Sequence, residues 1–223
     1  MAPLPASALA VVRGSGSAAA LVILPSAFGV APDLVAHMHE LASDASLVVA
    51  LDPFARHDPG VVPYDDMARV MARVHGHDPV QLQLDLREAI AWTAAAAERP
   101  VVVLGVCFGG PHALEVAAAG LVAGAAVWHG TGLDQHLDGA AAITCPLALH
   151  FGADDPFVPP ALVARVRETF ASRPNVAIHV HEGATHGFSH RGAPAWHEAA
   201  ERAATASLRE LVHATAHASE AQR

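Results

Sequence analysis

Three residues in the second half of the chain have the types and the order needed for covalent acyl transfer. Cys107 sits in Gly105-Val106-Cys107-Phe108-Gly109-Gly110, between an aliphatic run and a helix-forming segment. A sharp strand-to-helix turn lifts such a thiol out of the sheet edge, and it needs small residues two before and two after the nucleophile. Gly105 and Gly109 meet that need. The helix N-terminus that follows aims N–H groups at the sulfur, where they stabilise a thiolate and later an oxyanion. A nucleophile of this kind needs a base, and the base needs a group that orients it. Ala153-Asp154-Asp155-Pro156-Phe157-Val158-Pro159 follows one downstream apolar run, and Ala184-Thr185-His186-Gly187-Phe188 follows the next. The order Cys107, Asp155, His186 is nucleophile, acid, base. Singly, an Asp before a helix is often only an N-cap, a role open to Asp154, and a loop His is usually solvated. Three such groups in order at three successive strand ends are much harder to obtain by accident.

These groups need a scaffold that brings strand ends to one edge. LVILP at 21–25, LVVALD at 47–52, PVVVLGV at 100–106, LVAGAAVWH at 121–129, PLALHFG at 146–152 and VAIHV at 176–180 read as buried strands. Amphipathic segments at 31–43, 64–74, 80–98, 112–120, 159–171 and 195–215 read as helices between and after them. Continuous apolar strands alternating with helices imply a mostly parallel, twisted sheet covered on both faces. Gly14-Ser-Gly16-Ser-Ala-Ala19 fits a loose dinucleotide-binding pattern, but it precedes a strand instead of opening a helix, so a hairpin turn is the better reading.

The chain has 223 residues, 52% of them hydrophobic and 16% charged, which suits one compact domain spanning 1–223. All 13 basic residues are Arg. Without Lys there is no Schiff-base nucleophile and no Walker-type phosphate clamp. The net charge of −9, with no basic run, argues against nucleic acid and anionic membrane partners. No apolar run reaches membrane-spanning length, and the first residues lack the basic start of a signal peptide, so a cytoplasmic location is expected. A small-molecule substrate is the expected partner, with a monomer or a homodimer as the assembly and no cofactor. The two cysteines do not form a secreted disulfide framework. Cys145 starts a strand whereas Cys107 ends one, which puts them at opposite edges of a parallel sheet. Among the 16 histidines, His179 and His181 share a strand face with His186 five residues on, but no carboxylate-bearing zinc motif accompanies them, and no metal is expected.

G-V-C-F-G-G, G-A-D-D-P-F-V-P and A-T-H-G-F together resemble the dienelactone hydrolase family. Phe28-Gly29-Val30 and Asp52-Pro-Phe-Ala-Arg56 are also similar, and the resemblance runs from about residue 20 to 215. It implies an α/β-hydrolase fold with no cap domain, and a hydrolase acting on a small ester or lactone. It makes Cys107 the nucleophile, His186 the general base and acid, and Asp155, two residues before Phe-Val-Pro, the orienting carboxylate. The backbone N–H groups of Ala27 and Phe108 would form the oxyanion hole. The chain departs from the family pattern at Ser26, where the family carries Glu, and at His190 and Met67, where it carries arginines. Arg69 is the candidate to turn inward in place of the second arginine, and the family's aromatic pair becomes Trp128-His129. Ser26 is a poor base, so either His186 activates Cys107 more directly or Ser26 hydrogen-bonds the thiol or the substrate.

A pocket without a cap should be small. Its expected wall is Phe28, Arg56, Tyr64, Trp128, His129, Phe157 and His190, which points to a small polar or anionic substrate. Two other readings compete with hydrolysis. The same pocket would serve a cyclase or isomerase on a biosynthetic intermediate, or a binding module that has lost its chemistry.

Overall fold

The computed structural model describes residues 8–220. Seven strands form one sheet: β1 (Ala8–Arg13), β2 (Ala20–Leu24), β3 (Leu47–Leu51), β4 (Val101–Val106), β5 (Gly124–Trp128), β6 (Leu147–Gly152) and β7 (Val176–His181). Their spatial order is β1-β3-β2-β4-β5-β6-β7. Only β1 runs antiparallel, against β3; every other pairing is parallel. The described residues also form six α-helices, α1 (Pro32–Leu41), α2 (Met67–Gly76), α3 (Pro79–Ala97), α4 (Gly109–Ala118), α5 (Pro160–Thr169) and α6 (Glu198–Glu220), and two short 3-10 helices at Leu133–Gln135 and Leu137–Ala142. All six strands expected from the sequence are present, with ends moved by at most three residues.

Strands β2 to β5 are apolar throughout because both faces are covered. Side chains alternate sides along a strand. Ala20, Val22, Leu24, Val101, Val103, Ala125 and Val127 pack with α2, α3, α4 and α5. Leu21, Ile23, Val102, Leu104, Ala126 and Trp128 pack with α1 and α6 on the other side. β2 and β4, central in the sheet, are buried at every position. β7 is an edge strand and stays partly exposed. Asp66 and Asp78 start α2 and α3 by accepting backbone N–H groups, the ordinary N-cap arrangement.

One expectation is corrected. The Gly14–Ala19 segment does not close a hairpin, because β3 lies between β1 and β2. The chain instead passes tightly against the α1–β3 connection. A Cβ at Gly14 would lie 1.7 Å from the Ala45 carbonyl oxygen, and one at Gly16 would lie 1.8 Å from that of Asp44. These glycines serve a backbone crossing. β1, Ala8–Arg13, sits on the sheet edge and ends on a charged residue, so it lacks the continuous apolar signal of the central strands.

Candidate active site

Cys107 is the apex of the turn joining β4 to α4, with φ +52°. A non-glycine residue in this region is held there only by its surroundings. Cys107 N–H donates to the Trp128 carbonyl at 2.9 Å, and the Cys107 carbonyl accepts from Gly110 at 3.0 Å. The two flanking glycines are required by contact. A Cβ on Gly105 would lie 2.4 Å from the Gly109 carbonyl oxygen, and one on Gly109 would lie 2.2 Å from that of Leu24.

His186 Nε2 lies 3.1 Å from Cys107 Sγ, and His186 Nδ1 lies 2.8 Å from Asp155 Oδ2. Asp155 sits just past β6 and His186 in the loop after β7, so parallel strand ends deliver all three groups to one edge. The Asp155 side chain is sealed from solvent, and its second oxygen accepts the Phe157 N–H at 2.8 Å. Asp154, by contrast, is exposed. Burial opposes a charge on the His186 ring, but hydrogen bonds to Asp155 and Cys107 outweigh it and push this imidazole up to about 10. An imidazolium held against a sulfur is the arrangement that favours a thiolate.

Cys107 and His186 open into a cavity of about 470 Å³. Of the expected wall residues Phe28, Tyr64, Phe157 and His190 line it, and Ala27 and Phe108 line it as well. Phe28, Tyr64 and His190 pack as three mutually touching rings, with centroids 4.7, 5.2 and 5.6 Å apart. The Tyr64 hydroxyl donates to Asp33 at 2.8 Å, which anchors that wall. Phe157 meets the His186 ring edge-on at 4.9 Å.

Other expected wall residues lie elsewhere. Arg56 turns away and clasps Asp85 through two nitrogens, at 2.8 and 2.6 Å. Arg69 points to solvent and pairs with Asp58. Ser26 and Trp128 face a separate space of about 20 Å³ behind the Tyr64–His190 wall, large enough for about one water. The Ser26 hydroxyl accepts from the Phe28 N–H at 3.4 Å. His129 is fully buried with φ +38°, and its Nε2 lies 2.8 Å from the Ser189 hydroxyl. It does not reach the cavity; its ring backs that of His186 at 5.0 Å. Burial holds His129 well below the usual imidazole range.

Sequence reasoning missed the α2 wall. Met67, Val70, Met71 and Val74 recur at i, i+3, i+4 and i+7, a helical stripe legible in the sequence, and they line the cavity. It also missed the work of Arg73, whose side chain is fully buried. Arg73 donates to the carbonyls of Ala27 and Gly60 at 3.0 Å, to that of Asp58, and lies 4.5 Å from the Phe54 ring centre. The cavity is larger and more apolar than expected.

Cys107, His129 and His186 each place one donor atom within 4.8 Å of the others, so this group could hold a thiophilic cation. Such an ion would displace the Cys107–His186 contact. His179 and His181 do not join His186. His150, buried on β6, stacks with His179 at 4.5 Å and meets His181 through nitrogens 3.1 Å apart. Both cysteines are free, and burial pushes the Cys145 thiol up. Among the described residues no helix is long and apolar enough to cross a membrane.

The seven-stranded, nearly parallel sheet and the strained cysteine turn at the head of β4 define a protein of the α/β-hydrolase fold. The sequence pattern of the dienelactone hydrolase family matches residues 7–215. A carboxymethylenebutenolidase of a Pseudomonas species is 29% identical over 206 residues, covering 90% of this chain and 85% of its own. The carboxymethylenebutenolidase of Pseudomonas putida is 30% identical over 200 residues, covering 86% and 83%. A crystal structure of a candidate dienelactone hydrolase from Klebsiella pneumoniae superposes with a TM-score of 0.77 at 22% identity, covering 90% of this chain and 88% of that one. The chain belongs to the dienelactone hydrolase family.

Proposed function

We propose that the protein hydrolyses small carboxylic esters or lactones through a thioester on Cys107. The observation that carries this reading is the continuous relay of Cys107 Sγ, His186 and Asp155, with contacts of 3.1 and 2.8 Å, at the floor of an open cavity. The names of the curated relatives favour a lactone- or ester-opening reaction.

In this mechanism the Cys107 thiolate attacks the substrate carbonyl and forms a carbon–sulfur bond. The carbonyl electron pair moves onto oxygen, where the N–H groups of Ala27 and Phe108 receive it. Phe108 is the N-cap of α4, so its peptide contributes the partial positive charge of a helix start. Donors of this kind are each worth about 3 kcal/mol in related sites. The carbon–oxygen bond then breaks, and His186 gives its Nε2 proton to the leaving oxygen. A water attacks the thioester, His186 takes a proton from it, and the carbon–sulfur bond breaks. The acid leaves and the thiolate–imidazolium pair returns. Asp155 keeps its negative charge throughout and fixes the ring orientation.

Intact-mass measurement after rapid mixing with a panel of small esters, lactones and thioesters tests the scheme. The expected result is a transient acyl adduct on Cys107, absent from Cys107→Ala. Turnover by Cys107→Ala at the native rate would remove the covalent step.

A further inference from the structure

We infer that this cavity selects neutral substrates with an extended apolar arm, and that it rejects those carrying a carboxylate on that arm. The inference deepens the hydrolase reading above and rests on it for the reaction, though not for the binding preference.

The first observation is the lining. Met67, Val70, Met71 and Val74 present one side of α2 to the space beside Cys107, and Phe28 and Phe157 flank it. Stripping water from such a surface favours an alkyl or aryl group and gives a charged one no compensating partner. Methionine also adapts to chains of differing shape, since its unbranched side chain has three rotatable bonds.

The second observation is the absence of a receiving cation. Among the described residues no Arg lines the cavity, and the sequence contains no Lys. The nearby arginines are engaged elsewhere: Arg56 with Asp85, Arg69 and Arg73 with Asp58, and Arg191 with Glu40 and Glu201. Turning any of them inward would abandon an ion pair. His190, the remaining basic side chain in the wall, is kept neutral because burial depresses it to about 4. The charge on His186 is already balanced by the Cys107 and Asp155 contacts.

The third observation is room. About 470 Å³ exceeds what an acetyl ester needs and lies within the range for medium-sized ligands. Met67 and Met71 are also about half exposed, so the apolar channel continues to the surface and the arm can extend along it.

The test uses two isosteric pairs. For turnover, 4-nitrophenyl hexanoate is compared with 4-nitrophenyl acetate and with the mono-4-nitrophenyl ester of adipic acid. The expected kcat/KM for hexanoate exceeds that for acetate about ten-fold or more, and that for the adipate ester about a hundred-fold. Met71→Arg, at an exposed position that tolerates charge, should narrow the hexanoate–adipate gap at least about ten-fold. For binding without turnover, 2-octanone and 7-oxooctanoate are compared as protectants of Cys107 against iodoacetamide. The ketone should protect at about ten-fold lower concentration. Equal or reversed preference in either pair overturns the inference while leaving acyl transfer standing. If the ketone order holds but no ester acylates Cys107, the acyl-transfer reading fails and the binding inference stands.

Discussion

Arg73, buried under the loop after β2, donates its Nη1 to the carbonyl of Ala27 across 3.0 Å. Ala27 is the residue proposed to offer one of the two oxyanion donors through its N–H, and the guanidinium holds the adjoining Ala27–Phe28 peptide, one bond pair further along the chain. The same side chain ties down the carbonyls of Asp58 and Gly60, which fixes the facing loop as well.

Arg73→Met should therefore lower kcat by about ten- to a hundred-fold, with a smaller change in KM, because a misplaced donor weakens transition-state binding. Breaking this buried network should also destabilise the fold by roughly 3 kcal/mol. Arg73→Lys keeps charge but loses the planar fork, and should recover only part of kcat. A folded Arg73→Met protein with native kcat would reduce Arg73 to a packing role.

His186→Ala and Asp155→Asn should each leave a folded chain with turnover reduced by about 10³- to 10⁴-fold. Steady-state kinetics with circular dichroism checks both halves. A fall of less than ten-fold in His186→Ala would remove the imidazole from the mechanism.

Iodoacetamide should modify Cys107 at pH 7 at least about ten-fold faster than Cys145, since the thiolate is the reactive form. The imidazolium at 3.1 Å favours that form at Cys107, and burial disfavours it at Cys145. Peptide mapping over time gives both rates. Equal rates in the native protein would contradict the ion pair.

Acid stability should depend on His150. Burial, assisted by His179 and His181, pushes this imidazole down to about 3, against about 6.5 in the unfolded chain. Between those values the unfolded state binds more protons, so stability rises with pH and is lost as pH falls from about 6.5 toward 3. His150→Leu should flatten that limb, shrinking the difference in thermal midpoint between pH 8 and pH 5. An unchanged difference would place the acid sensitivity elsewhere.

Much of the architecture is legible because its signals are local. Runs such as VVVLGV and LALHFG fill strands with both faces covered, and the glycines around Cys107 answer a steric demand visible in five residues. The cavity wall is less legible because its membership depends on how helices dock. Arg56 and Arg69 follow motifs near the site, yet Asp85 and Asp58 lie closer in space and hold them outside. Trp128 and His129 end a central strand, where depth buries them behind the wall. The Met67–Val74 stripe carries a clear period, but that period marks an apolar face without saying whether the face meets core or ligand.

The sulfur and its imidazole partner are 79 residues apart in the chain and meet only when β4, β5, β6 and β7 have paired in order. During synthesis the cysteine leaves the ribosome well before its activating ring exists. On the proposed mechanism, the imidazole that activates the thiol therefore reaches it only once the final third of the polypeptide has been made and docked.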